Sequence, residues 1–570
     1  MHDIVIRGGT LVDGTGADRR SADVAVDGGL VAEVGRVADR GHREIDADGR
    51  LVLPGWVDVH THFDGQATWD PELAPSSWHG VTTAVFGNCS VGFAPLRPGR
   101  EDFLINLMEG VEDIPGTVLS EGMDFCWESF PEYLDVLERT PHAIDIGAQV
   151  PHGALRVYVM GERGGDHAER PGDDEIARMG ELAVEALRAG AFGFTTSRTN
   201  KHRAADGRFT PSLTAAANEL LGVARAMGEA GVGVLQINSD LANDDELELV
   251  RRMAEVSGRP LSFTLLQSDD RPGRWRESLD MAEAANAAGL VIRPQVASRP
   301  IGVLLGLGTT LDPLLAFPSY RPYAKLPEAE RLARLRDPEV RQAILGEAEN
   351  GAGRGIVAAM LDKVFPLGQR PDYEPGPERS MTALAGAAGR SPWSLVYDLL
   401  VEGDGRALLY LPFENYSDGD LEPVREMLSS PCSISGLSDA GAHVATICDA
   451  SFPTSLLTHW TRDRTRGELL PLEYVVHKQT GASAAALGLL DRGVVAPGYR
   501  ADLNVVDPEA LDIELPELVH DLPAGGRRFV QRARGYRHTF VAGTEVMADG
   551  TWTGATPGRL VRGPQPAPAA

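Results

Sequence analysis

Cysteine is scarce in this 570-residue chain: Cys89, Cys126, Cys432 and Cys448 are the only four, and no two of them form a CxxC pair. Four isolated thiols cannot build a disulfide framework, which points to a reducing compartment. Long apolar runs are also missing. No stretch approaches the roughly 18 apolar residues needed to span a bilayer, and the opening Met1-His-Asp-Ile-Val-Ile-Arg-Gly-Gly lacks the charged and apolar regions of a signal peptide. Positive charge is in deficit, with 54 Lys+Arg against 82 Asp+Glu and a formal net charge of −28. Such a surface repels nucleic-acid phosphates and anionic lipid, so neither nucleic acid nor membrane is expected as a partner. No repeat recurs at 20–50-residue spacing, which excludes a solenoid. The expectation is a soluble, cytoplasmic protein, as a monomer or a homo-oligomer.

The composition supports a substantial globular core. Hydrophobic residues make up 43% and charged residues 24% of the chain, and the mean hydropathy is −0.16, ordinary values for a folded protein. At roughly 150 residues per domain the length suggests several units, or one barrel of 250 residues or more with an accessory domain. Short β-branched runs broken by Gly and Asp fill the first fifty residues, and similar runs return in Ala501-Asp-Leu-Asn-Val-Val-Asp and Thr539-Phe-Val-Ala-Gly-Thr-Glu-Val. The two ends therefore predict a joint β domain over 1–54 and 491–562. Between them, apolar runs alternate with helical patterns such as Asp174–Arg188. Eight strands are expected near 51–59, 81–87, 143–150, 190–197, 231–238, 260–267, 289–296 and 432–438, which predicts an α/β chain with a (β/α)8 TIM-type barrel over 55–490. The stretch 300–430 is too long for a structureless loop and reads as an insertion over the active-site face. The Pro- and Ala-rich tail 563–570 cannot build a core and is expected to be disordered.

Three strand ends carry candidate chemistry. In Leu53-Pro-Gly-Trp-Val-Asp-Val-His60-Thr-His62-Phe-Asp64 the i, i+2 spacing places His60 and His62 on one side of an extended chain, at the barrel mouth, where imidazole suits zinc or iron. Val81-Thr-Thr-Ala-Val-Phe-Gly-Asn-Cys89 delivers a thiol that is either a metal ligand, deprotonated by the ion, or an inert buried cysteine. Cys432-Ser-Ile-Ser-Gly-Leu-Ser-Asp439-Ala-Gly-Ala-His443 delivers a carboxylate, either as ligand and general base together or as the cap of a following helix.

Together these segments resemble the amidohydrolase superfamily, and within it the N-acyl-D-amino-acid deacylase (D-aminoacylase-like) branch. The resemblance runs from Ile6-Arg-Gly-Gly-Thr-Leu-Val-Asp-Gly-Thr-Gly through Gly80-Val-Thr-Thr-Ala-Val-Phe-Gly-Asn-Cys-Ser-Val-Gly-Phe-Ala-Pro to Gly493-Val-Val-Ala-Pro-Gly-Tyr-Arg-Ala-Asp-Leu. Val150-Pro-His-Gly-Ala-Leu-Arg156 and Gly190-Ala-Phe-Gly-Phe-Thr-Thr-Ser-Arg198 extend it. It implies a barrel flanked by a β-sandwich from both termini and metal-dependent hydrolysis of an amide. It also implies His60, His62, Cys89 and Asp439 as metal ligands, with Cys89 bridging and Asp439 as the catalytic base. No carboxylated lysine is implied, and the chain has only four lysines.

One feature departs from that family's pattern. Relatives place a histidine after the fifth strand and another after the sixth, whereas here no histidine lies between His202 and His443. The strand ends carry Gln236, Asn238 and Asp240, then Gln267 and Asp269. Carboxamides are weak zinc donors, so one ion per chain is expected rather than two, zinc in preference to iron. Asp240 and Asp269 either replace a ligand or cap the next helix. Arg198 and Arg299 follow strands four and seven, where each either clamps a substrate carboxylate or pairs with an acidic side chain. His152 and His443 either polarise the substrate carbonyl or bind substrate, or are satisfied structural histidines, and Tyr410, Tyr416 and Trp460 are read as packing residues. The expected activity is deacylation of an N-acyl-(D-)amino acid by a metal-activated water. Hydrolysis of a cyclic amide, as in hydantoinase-like or dihydroorotase-like relatives, and a non-catalytic binding homologue are the alternatives.

Overall fold

Strand alternation builds the first layer. The structure is a computed structural model and describes residues 1–351 and 356–569. Ile4 and Ile6 of the strand His2–Leu11 join Val24 and Val26 of Arg20–Asp27 in a core with Val52, Leu503, Val505 and Phe540. Val5 and Ala25 face the other way, onto Val37, as the two-residue period of a strand requires. The chain ends meet in this sheet. Leu503–Val506 runs antiparallel to Leu51–Pro54, with Leu503 opposite Pro54 and Val506 opposite Leu51, and Tyr536–Val541, Thr544–Ala548 and Thr551–Trp552 extend it to nine strands. Strands from both ends of the chain thus pair in one sheet.

The parallel strands are β1 (Trp56–Asp58), β2 (Val81–Phe86), β3 (Asp145–Ala148), β4 (Gly193–Arg198), β5 (Val234–Ser239), β6 (Leu261–Thr264), β7 (Ile292–Val296) and β8 (Ile434–Ser435). All eight overlap the ranges expected from the sequence, β4 and β5 each running one residue past theirs. β1–β3 form one parallel sheet and β4–β8 a second, to which Val150–Pro151, directly beyond β3, adds a further strand beside β4. The residues of β2 are buried throughout, the signature of a parallel sheet covered on both faces. The two sheets touch at both margins. Gln149 N donates to Phe86 O at 2.9 Å and Phe192 N to Ala148 O at 2.8 Å; at the other side His62 N donates to Ala440 O at 2.7 Å and Asp439 N to His60 O at 3.2 Å.

Helices that follow the strands turn one apolar stripe inward. In Asp173–Ala189 the buried residues are Ile176, Met179, Gly180, Ala183, Ala186 and Leu187, a 3.6-residue pattern. Asp244–Ser257 starts on Asn243, whose side chain accepts from Glu246 N, and carries Asp244, Asp245 and Glu246 in its first turn. These acids complement the positive end of the helix dipole.

The 300–430 segment has its own framework: Ile301–Leu305, Leu409–Glu414 and Phe365–Pro366 form an antiparallel sheet, and Phe317, Tyr320, Leu335, Ile344 and Tyr397 share an apolar core. It rests against the loops after β4 and β6 through the ion pairs Lys201–Glu414 and Lys363–Asp269. Residues 352–355, within the same stretch, lie outside the described residues. The tail is a correction. Instead of being disordered, Gly563 N donates to Gly190 O at 2.9 Å, Gln565 N to Gly488 O at 2.9 Å, and Leu490 N to Gln565 O at 3.0 Å. Its composition precludes a core of its own but not backbone pairing with a groove built by others. Among the described residues no helix is long and apolar enough to cross a membrane.

Candidate metal centre

Backbone geometry gathers the three motifs. Beyond β1 the chain stays extended: Thr61 N donates to Val85 O at 3.0 Å on one side while His62 N holds Ala440 on the other. His60 and His62 therefore project to the same side, both buried, with ring centroids 5.5 Å apart. After β2 the chain must turn at Gly87 (φ +86°), where a Cβ would fall 2.2 Å from Gln149 O. Asn88 Nδ2 donates to Thr61 O and Val85 O, each at 3.1 Å, and so ties this turn to the histidine segment. Cys89, Asp439 and His443 all adopt left-handed backbone conformations, with φ of +54°, +47° and +48°. For a non-glycine residue that costs of order 1–2 kcal/mol, and such outliers concentrate at functional sites.

His60, His62 and Cys89 each offer a ligand atom, and these atoms lie within 4.8 Å of one another. Cys89 Sγ is 3.3 Å from His60 Nε2. Asp439 Oδ1 lies 3.3 Å from His60 Nε2 and 3.5 Å from His62 Nε2. The electrostatics suit a cation. Burial pushes the Cys89 thiol up to about 11, against the pull of His62, so a thiolate here requires a positive partner. Burial works to raise Asp439, yet His62, His60 and His443 hold it well below the usual carboxylate range. Burial pushes His60 down to about 4 despite Asp439. For His62, burial is outweighed by Glu112, Asp439 and Cys89, which hold it well above its ordinary value. Asp439 Oδ1 is buried without a hydrogen-bond partner, a costly condition that a bound ion would relieve. The donor set of two imidazoles, a thiol and a carboxylate fits a zinc-type ion.

The other residues singled out from sequence have different surroundings. His152 is not an open substrate group: its ring faces Thr196 Oγ1 at 2.9 Å and Glu219 Oε1 at 3.0 Å, fully buried. Arg198 is taken by Glu246, which its Nε and Nη2 contact at 2.8–3.1 Å. Arg299 is buried against Asp449 at 3.1 Å, with its guanidinium 3.6 Å from the Tyr373 ring centroid. In a chain this rich in acidic residues, each cation found a carboxylate of the protein itself. His443 does lie at the cluster, its side chain 28% exposed. Tyr410, Tyr416 and Trp460 are buried packing residues whose polar atoms donate to the carbonyls of Pro300, Pro375 and Ser298.

The carboxamides divide. Gln267 is a loop staple, bonded to Asp418 at 2.8 Å and to Ser417 N at 3.2 Å. Asp240 holds Thr199 and Asn200, and Asp269 holds Lys363 and Ser417. Asn238 Nδ2 instead donates to Cys89 Sγ at 3.3 Å, and Gln236 is buried with neither amide atom partnered.

Three neighbours were not expected. Gln295 binds His60, Glu112 contacts His62 and His443, and His202 sits in the same field, pushed down to about 3 by burial and by His443 and His62. The only signal for His202 was its position just past β4. Glu112 ends a helix far from any strand end, and nothing in its local pattern marks it.

A family model described as "Amidohydrolase family" matches residues 43–547. The chain is 29% identical over 573 residues to a D-aminoacylase of Alcaligenes xylosoxydans xylosoxydans, covering 98% of this chain and 97% of that protein. It is likewise 29% identical to an N-acyl-D-aspartate deacylase from the same organism, covering 98% and 95%. A solved D-aminoacylase structure, described for its binuclear metal centre with one-metal activation and second-metal attenuation, matches with TM-score 0.65 at 26% identity, covering 99% of this chain and 100% of that one.

Proposed function

Because the chain belongs to the amidohydrolase family, we propose that it is a metal-dependent hydrolase of a non-peptide C–N amide bond, deacylating an N-acyl-D-amino acid. Similarity to the D-aminoacylase and to the N-acyl-D-aspartate deacylase over nearly their whole lengths supports that substrate class. The observation that carries the reading is the convergence of His60, His62, Cys89 and Asp439 from three separate strand ends onto one buried cluster.

His60, His62, Cys89 and Asp439 would hold one divalent ion, zinc by the donor set. Such an ion lowers the pKa of a water and polarises the substrate carbonyl. Asp439, held ionised, is positioned to accept the proton of the attacking water and to return it to the leaving amine nitrogen. His443, partly exposed beside the cluster, and His202 are the groups available to orient the substrate. Asn238 occupies the flank of Cys89 with an amide hydrogen bond, which favours one ion over two. The active-site architecture is read as a (β/α)8 barrel closed between β3 and β4 and between β8 and β1, supported by the backbone bonds at both margins. Its flanking domain is a β-sandwich of 1–54 with 491–562. The 300–430 insertion, packed on the loops after β4 and β6, covers the mouth.

Incubating the zinc-loaded protein with matched N-acetyl-D- and N-acetyl-L-amino acids and with hydantoins tests this reading. Release of acetate and a free D-amino acid is expected. Ring opening of hydantoins without any release of acetate would replace it.

A further inference from the structure

The two ring nitrogens of His62 face two different carboxylates. Nε2 points to Asp439, whereas Nδ1 lies 3.3 Å from Glu112 Oε1. The second oxygen, Glu112 Oε2, lies 3.6 Å from His443 Nε2. His62 and Glu112 each have only 1% of their side chains exposed. Glu112 is the last residue of the helix Glu101–Glu112, where the negative end of the helix dipole disfavours a carboxylate. Among the described residues neither Lys nor Arg lies within ion-pair distance of it, and neither of its oxygens has a hydrogen-bond partner. A buried carboxylate in such a place lowers stability unless something nearby uses its charge.

We infer that Glu112 is a positioning residue of the metal centre. One oxygen stands 3.3 Å from Nδ1 of His62, and its charge favours the proton on Nδ1, which leaves the Nε2 lone pair toward Cys89 and Asp439. The other oxygen holds His443 at the edge of the cluster. The backbone reinforces this, since His443 N donates to Glu112 O and so ties the left-handed turn at His443 to the helix end. A carboxylate behind a ligand histidine both sets the tautomer and strengthens the ring as a donor, and losing such a partner costs about 10- to 100-fold in metal affinity. The inference rests on the metal-centre reading proposed above.

The test is zinc affinity by chelator competition, with ion count per chain at saturating zinc, on full-length wild type, Glu112→Gln, Glu112→Ala and His62→Asn. Glu112→Ala is expected to bind zinc about 10- to 100-fold more weakly, with the saturated count unchanged. Glu112→Gln keeps an acceptor for Nδ1–H and is expected to lose less. Wild-type affinity in Glu112→Ala would overturn the inference. So would a saturated count one ion lower, which would make Glu112 a ligand. If Glu112→Ala does not fold, Glu112→Asp, which withdraws the carboxylate by one methylene, carries the same expectation. His62→Asn separates the two readings. Loss of zinc there with wild-type binding in Glu112→Ala removes only the role of Glu112, whereas wild-type binding in His62→Asn removes the metal centre itself.

Discussion

Gln295 Oε1 lies 2.6 Å from Nδ1 of His60, and Gln295 Nε2 donates to Ser262 Oγ at 3.0 Å. With the amide nitrogen committed to a hydroxyl, the amide oxygen must be the acceptor, so His60 carries its proton on Nδ1 and turns Nε2 to Cys89 and Asp439. Replacing Gln295 by Leu is expected to weaken metal binding about 10- to 100-fold and to destabilise the protein by about 1–3 kcal/mol through the unpaired buried groups. Chelator competition and urea unfolding read the two effects separately.

Asp439→Asn keeps the shape of the side chain but removes its charge. The expected result is a fall in kcat of about 10²- to 10⁴-fold, with a smaller change in KM, measured on protein saturated with zinc. An unchanged kcat would remove Asp439 as the base.

The eight strands were legible because each is a short apolar run ending in a polar tip, and the HxH, Cys89 and Asp439 motifs sit at those tips. The spacing of His60 and His62 alone put both rings on one side of the strand. Partners that belong to three-dimensional packing were not legible: Glu112 reaches His62 from a helix end, and Gln295 reaches His60 from across the sheet. For the same reason Arg198 and Arg299 looked available in sequence, while their acidic partners Glu246 and Asp449 come from other elements. The ordered tail was missed because composition reports what a segment can bury by itself, not the edge it can pair with.

Arg299 and Asp449 are a buried pair, each with 4% or less of its side chain exposed. Arg299→Leu leaves that carboxylate alone in the interior and is expected to cost about 3–5 kcal/mol in unfolding free energy. The KM of the folded fraction should stay at its wild-type value. A selective rise in KM without loss of stability would instead make Arg299 a substrate group.

Glu374 joins the insertion to the following segment through Arg464 and His459. Burial works to raise its pKa, but His459, Arg464 and the backbone at Leu421 hold it at about 2, below the ordinary 4.5. A depressed carboxylate contributes stability that is complete above its unfolded value and is lost as pH falls through the folded one. The stability gap between wild type and Glu374→Gln is therefore expected to be widest above about pH 4.5, to shrink steadily below it, and to be largely gone near pH 2. Urea unfolding across that range checks it, and a gap independent of pH would contradict it.

The most direct test of the account is the metal content of the full-length protein, by inductively coupled plasma mass spectrometry, after incubation with zinc and removal of free ions. One divalent ion per chain, lost in His62→Asn, is the predicted result. No bound ion in the wild-type protein would contradict it.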